Sequence, residues 1–211
     1  MKKNFLLFDF DGVIADSFAL AFKVSKMISP RLTEEEFGQR FEGNISDWQT
    51  PASPDPETYR PEVNFFVEYF SRMQKEVELV PGMAGVIKKL QKKYTLVVVS
   101  STITSPITMF LEKAGLANHF DKILGNDVHR SKVEKIKIIF ERYGIGADNC
   151  VFITDTLGDM REAAETGIGS IGVAWGFNKS ETLAKGKPFR ILKTPSEMVG
   201  AVADYFSAFK N

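Results

Sequence analysis

Four short runs of consecutive apolar residues punctuate the chain, and each stops abruptly at polar or glycine-bearing turns. Phe5-Leu6-Leu7-Phe8 runs into Asp9-Phe10-Asp11-Gly12, and Thr95-Leu96-Val97-Val98-Val99 into Ser100-Ser101-Thr102. Cys150-Val151-Phe152-Ile153 runs into Thr154-Asp155, and the weaker Ser170-Ile171-Gly172-Val173-Ala174 into Trp175-Gly176. Runs of this length predict strands buried on both faces, as in a parallel sheet. The stretches between them carry helical spacing. Residues 83–93 keep Val86, Ile87 and Leu90 on one face, and 106–113 keep Ile107, Phe110 and Leu111, with Gly115 as a stop. Residues 133–143 keep Ile136, Ile139 and Phe140 ahead of Gly144, and 159–166 halts at Gly167. The last stripe, over 196–209, is Val199, Val202, Phe206 and Phe209. Strands alternating with helices predict βαβ units and an α/β fold.

Residues 18–80 break the alternation. Phe18, Phe22 and Met27, then Phe65, Phe66, Tyr69 and Phe70, show helical spacing around the Pro-rich TPASPDPETYRP. No strand-like run ends in polar residues there, and the sheet pattern resumes afterwards. The pattern predicts a helical domain, 18–80, inserted after the first strand of a core made of 1–17 and 81–211.

Composition narrows the class without choosing a function. The 211 residues carry 27 Lys plus Arg against 27 Asp plus Glu, with 44% hydrophobic and 26% charged residues. That is the profile of an ordinary globular protein. The balanced charge argues against a dedicated nucleic-acid binder, and nothing approaches the roughly 18–20 apolar residues of a membrane span. The opening MKKNFLLF briefly mimics a secretory leader before Asp9 and Asp11 interrupt it. Cys150 is the single cysteine, so no internal disulfide forms, and His119 and His129 have no ligand-like spacing for a zinc cage. The expectation is a soluble, cytoplasmic protein with a small-molecule partner, no nucleic acid and no membrane. Its oligomeric state is not encoded in any of these features.

The chemistry sits at the strand ends, where an open parallel sheet binds its ligands. Asp9 and Asp11 follow the first strand, Ser100 and Ser101 the second, and Asp155 and Asp159 the third; Lys132 precedes a helix and can point to the same edge. Four carboxylates at one edge would repel one another unless a cation neutralised them. A hard set of oxygen ligands suits Mg²⁺.

The same residues carry a resemblance. DFDGVIADS (9–17), VVVSS (97–101), Lys132 and ITDTLGDM (153–160) resemble, in order and separation, the four signatures of the haloacid dehalogenase-like (HAD-like) hydrolases. The insertion over 18–80 is similar to that family's helical cap between the first and second signatures, a placement shared by its phosphoglycolate phosphatases and beta-phosphoglucomutases. The resemblance implies a Rossmann-like (HAD-like) sheet with an inserted α-helical cap. It also implies a Mg²⁺-dependent phosphatase that hydrolyses a small phosphate monoester through an aspartyl-phosphate. Asp9 would be the nucleophile and Asp11 the general acid and base. Ser100, preferred over Ser101 and Thr102 as the first polar residue after the strand, would hold the phosphoryl group with the Ser101 amide assisting, together with Lys132. The Asp9 carboxylate, the Asp11 carbonyl and Asp155 would bind Mg²⁺, with Asp159 as a direct or water-mediated contact. An acid at position 11 fits an enzyme that must protonate an alkoxide, hence phosphate esters.

Other residues read more simply. Asp16 ties down a loop or caps the next helix, and Cys150 and Trp175 are structural. Lys135 and Lys137 read as solvated, Arg130 as a solvent-facing loop residue, and both histidines as surface or hydrogen-bonded groups. Within the cap, Phe41 to Trp48 is where related enzymes place their specificity loop, so Gly43, Asn44 and Trp48 are candidate substrate contacts. That loop holds no Arg or Lys, which weakens the alternative of a phosphomutase, although Arg40 or Arg60 lies close enough in sequence to substitute. A receiver-like phosphoacceptor module, the alternative from another class, has no cap-sized insertion after its first acidic strand.

Overall fold

The computed structural model describes residues 4–43, 59, 60 and 62–208. Six parallel strands form its sheet in the order β5-β4-β1-β6-β7-β8. They are β1 (Phe5–Phe8), β4 (Thr95–Val99), β5 (Lys122–Leu124), β6 (Cys150–Thr154), β7 (Gly169–Val173) and β8 (Arg190–Leu192). A separate antiparallel pair, β2 (Ala15–Asp16) and β3 (Glu78–Leu79), matches Ala15 with Leu79. The helices are α1 (Phe18–Ile28), α2 (Glu34–Gln39), α3 (Phe65–Glu76), α4 (Met83–Leu90), α5 (Thr104–Lys113), α6 (Lys132–Tyr143), α7 (Leu157–Glu165), α8 (Ser180–Ala184) and α9 (Met198–Ala208).

Both faces of the sheet are covered, which explains the unbroken apolar runs. Leu6, Phe8, Leu96, Val98, Val151 and Ile153 pack with residues of α4, α5 and α9. Their alternates Phe5, Leu7, Val97, Val99, Cys150 and Phe152 pack with α6 and α7. Alternation of side chains along each strand thus feeds two hydrophobic layers from one sheet.

The chain winds outward from β1 in both directions, so β1 lies between β4 and β6 at the topological switch point. Phe8 pairs with Val98 on one side and Ile153 on the other. The residues that follow these strands therefore emerge side by side at the carboxyl edge.

The short ribbon of β2 and β3 stands where the chain leaves and rejoins the sheet, with α1, α2 and α3 between them. The two-residue β3 falls within 18–80, too short to form the kind of apolar run that marks the strands of the main sheet. β5 and β8 are also additions to the four predicted strands. Each is three residues long and begins with a cation, Lys122 or Arg190, so neither presents a long apolar run. The predicted helices are all present with ends shifted by a few residues; Phe209 lies outside the described residues. Among the described residues, no helix is long and apolar enough to cross a membrane.

Candidate active site

Gly12 lets β1 deliver two carboxylates to one edge. It adopts φ +72, the left-handed region, and a Cβ there would stand 2.0 Å from Asp155 Oδ2. Asp9 is nearly buried, and its Oδ1 accepts from the Phe10 amide at 2.8 Å and pairs with Lys132 Nζ at 3.0 Å. Burial pushes the Asp9 carboxyl well above its ordinary value; Lys132 pulls it back, while Asp159 and Asp155 push it further up.

Lys132 opens α6, whose N-cap Ser131 accepts from the Glu134 amide. Its backbone amide donates to Glu162 Oε1 at 2.9 Å. Its ammonium is buried and lies 2.6 Å from Asp159 Oδ2. Burial alone would lower this group, but Asp159 and Asp9 outweigh it and hold the ammonium above its usual range. Asp159 also accepts from Thr154 Oγ1 at 2.7 Å, and its carboxyl lies below the ordinary range: burial acts to raise it, and Lys132 overrides that.

Asp11 is held by two hydroxyls. Thr102 Oγ1 donates to its Oδ2 at 2.7 Å, and the Tyr69 hydroxyl, on α3 of the insertion, donates to its Oδ1. Tyr69 is almost completely buried; burial, then the Asp11 charge, raises its phenol well above the ordinary value, so the proton stays on Tyr69. The Ser100 hydroxyl accepts from the Thr102 amide at 3.0 Å, which leaves its own proton to donate elsewhere.

Asp155 is fully buried. Its Oδ2 accepts from the Phe177 amide at 2.7 Å, whereas Oδ1 has no hydrogen-bond partner. Burial raises this carboxyl to about 7, against the opposing pull of the Phe177 amide. A buried carboxylate oxygen without a donor is costly unless a positive group sits against it. The Asp9 carboxylate is close enough to act on Asp155 electrostatically, and both offer hard oxygens, so these residues fit a divalent cation such as Mg²⁺.

The expected metal set is the Asp9 carboxylate, the Asp11 carbonyl and Asp155, with Asp159 as a direct or water-mediated contact. Among the described residues no three acidic side chains converge as a metal cage. Lys132 and Thr154 both meet Asp159 through its Oδ2, while Tyr69 and Thr102 take one oxygen each of the Asp11 side chain.

Asp9, Asp11, Ser100, Ser101, Lys132, Asp159 and Gly43 all line one cavity of about 560 Å³, so the structure brings these expected site residues together. Asn44 and Trp48 lie outside the described residues. Arg40 and Arg130 also line the cavity, Arg130 from an exposed position, so its solvent-facing reading is only half the picture. Four residues of this neighbourhood have contacts that sequence reasoning did not assign. Tyr69 and Thr102 hold Asp11, and Asn126 lines the cavity. The fourth, Lys135, is fully buried rather than solvated, with its Nζ donating to the Ser100 carbonyl at 2.6 Å. Its helical spacing from Ile139 was the available signal: position 135 lies on the buried face of α6. The simpler readings of other residues agree with their contacts. His129 Nδ1 accepts from the Ser131 amide, Trp175 Nε1 donates to the Val13 carbonyl, and burial raises the Cys150 thiol to about 12.

The insertion is docked onto this edge. The Gly158 amide at the start of α7 donates to the Phe41 carbonyl at 3.0 Å, and Asn178 Nδ2 donates to the Gly38 carbonyl at 3.0 Å. A Cβ on Gly158 would meet the Gly43 carbonyl oxygen at 2.0 Å, so the turn after α2 sits directly against α7.

An acidic, lysine-balanced cluster at the switch point of a parallel sheet, closed over by helices, defines an α/β enzyme site. The chain matches the family model described as haloacid dehalogenase-like hydrolase over residues 6–173, and it belongs to that family. It is similar to the phosphoglycolate phosphatase of Synechococcus elongatus, 23% identical, with 93% of this chain and 96% of that protein covered. The phosphoglycolate phosphatase of Vibrio parahaemolyticus is also 23% identical, with 94% and 95% covered. Among solved structures, a Clostridium acetobutylicum protein described as a predicted phosphatase shares the fold. It has a TM-score of 0.77 at 24% identity, covering 97% of this chain and 100% of that one. Membership of this family leaves no place for the receiver-type reading.

Proposed function

We propose that this chain is a Mg²⁺-dependent phosphatase acting on a small phosphate monoester, with residues 18–80 serving as the cap over a core of 1–17 and 81–211. The observation that carries the reading is the pairing of two differently equipped carboxylates at the end of β1. Asp9 is tethered through Oδ1 to the Phe10 amide and Lys132, while Asp11 is held by Thr102 and Tyr69. Phosphatase relatives spanning nearly the whole chain support it.

In this reading Asp9 attacks phosphorus through Oδ2, forming the aspartyl-phosphate as the bond to the leaving alkoxide breaks. Asp11 gives that alkoxide its proton. It then takes a proton from the water that attacks the aspartyl-phosphate, releasing inorganic phosphate and returning Asp11 to its starting form. Thr102 and Tyr69 hold Asp11 through both halves, since a hydroxyl can donate to a carboxylate and accept from a carboxylic acid. Lys132 offsets the charge of Asp9 and the phosphoryl oxygens, and the Ser100 hydroxyl donates to one of those oxygens. Asp9, Asp155 and the Asp11 carbonyl would hold Mg²⁺, which when bound supplies charge neutralisation for the transferring phosphoryl group. Asp159 acts by fixing Lys132.

The test is phosphate release from a panel of small phosphate esters with and without Mg²⁺, alongside Asp9→Asn. Activity should require Mg²⁺ and fall at least about 10³-fold in a variant with an unchanged circular-dichroism spectrum. An Asp9→Asn enzyme with undiminished turnover refutes the assignment, and an isomerised phosphate ester in place of free phosphate identifies a mutase.

A further inference from the structure

We propose that the alcohol part of the substrate is a bulky apolar group of aromatic size, seated in the cavity between two banks of rings; this rests on the phosphatase reading above and names its substrate class. Asp9, Asp11, Asp159 and Lys132 line the cavity. One wall is the cluster Phe37, Phe41 and Phe177, with ring centroids 5.2, 4.7 and 5.9 Å apart pairwise. Another is the row along α3, where Phe65 stacks on Tyr69 at 5.5 Å and meets Phe66 at 5.6 Å. Phe66 remains 50% exposed at the rim. The same α3 row therefore ends, through the Tyr69 hydroxyl, on Asp11, so a group packed against these rings sits next to the carboxyl that must protonate it.

Size points the same way. The cavity, of about 560 Å³, falls in the range of pockets that enclose ligands larger than a two-carbon ester. A two-carbon ester such as phosphoglycolate would leave most of that volume wet and touch few of the rings. A ring-bearing alcohol displaces this water against apolar surface, the burial that drives binding in pockets of this size. Arg40, which also lines the cavity, has its guanidinium 5.8 Å from the centre of the Phe37 ring.

The test compares 2-phenylethyl phosphate with ethyl phosphate, whose leaving alcohols are chemically matched, and with phosphoglycolate, all with Mg²⁺. The phenylethyl ester should have kcat/KM at least about tenfold above either of the others. Phe41→Ala and the milder Phe65→Leu should each lower the phenylethyl-to-ethyl ratio several-fold; a ratio is insensitive to the fraction of protein that is folded. In parallel, calorimetry measures 2-phenylethylphosphonate against ethylphosphonate binding. Hydrolysis of all the esters with a ratio near one, or with phosphoglycolate preferred, overturns this inference and leaves the phosphatase reading standing. Tighter binding of the aryl phosphonate with no ester hydrolysed supports the cavity assignment and overturns the phosphatase reading.

Discussion

Replacing Lys132 with Met removes the single ammonium that separates two buried carboxylates. That ammonium lies 3.0 Å from Asp9 Oδ1 and 2.6 Å from Asp159 Oδ2. At an effective dielectric constant of about 20, each contact is worth roughly 5–6 kcal/mol before desolvation is subtracted. Removing one partner from such a group leaves uncompensated buried charge, at a net cost of about 3–5 kcal/mol. Urea denaturation in EDTA should show that loss for Lys132→Met. Lys132→Met/Asp159→Asn should recover at least about half of it, because the charge left unpaired is then gone. Activity should behave differently. Burial already lifts the Asp9 carboxyl, and Lys132 is the group that pulls it down, so losing the lysine shifts the nucleophile further toward its protonated, unreactive form. Phosphate release should fall about 10²–10³-fold in the single variant and stay low in the double. A double variant no more stable than the single would show that charge repulsion is not what Lys132 relieves. Recovery of activity in the double would remove Lys132 from the reaction.

Further outcomes follow from neighbouring contacts. Tyr69→Phe keeps the stack on Phe65 but deletes the hydroxyl on Asp11, so kcat should drop about tenfold with KM little changed; a lowered melting temperature with normal kcat would make Tyr69 a packing residue only. Gly12→Ala forces a left-handed alanine, at about 1–2 kcal/mol, and drives a methyl into Asp155. It should lose more than about 2 kcal/mol and most Mg²⁺-dependent turnover, and a variant of wild-type stability and activity would contradict the geometry. Burial first, then Lys132, pushes the Lys135 ammonium from 10.5 down to about 8. Between those values the unfolded chain holds a proton that the folded one lacks, so stability should rise with pH across that window, by up to about 3 kcal/mol. Denaturation in EDTA from pH 7.5 to 10 should show this rise in wild type and its loss in Lys135→Met; equal slopes would refute it.

Much of this site was readable along the chain because its parts obey local rules. A buried parallel strand must be apolar on both faces, so its end is marked by the switch to polar residues, and β1, β4 and β6 announce Asp9, Ser100 and the pair Thr154-Asp155 in this way. The order of the strands then brings those ends together at a switch point. Lys132 was legible for the same kind of reason, as the first residue of a helix that begins at the sheet edge. The edge strands β5 and β8 were not, because three residues led by a cation are too short to show a period.

Residues whose role depends on packing left no such mark. Tyr69 reads as one more aromatic on an amphipathic helix, and only the docking of α3 carries its hydroxyl 58 positions back to Asp11. Thr102 reaches the same carboxylate across 91 positions, while its amide donates to the Ser100 hydroxyl. Lys135 looked like any surface lysine until the sheet covered its face of α6. Asp155 and Asp159 have the same side chain four residues apart, yet one is left with an unpartnered oxygen and the other is tied to an ammonium. Local chemistry selects the strand, the turn and the residue type. Which partner each buried charge meets, and the shape of the space above it, is set by contacts distant in sequence that exist only once the layers have packed.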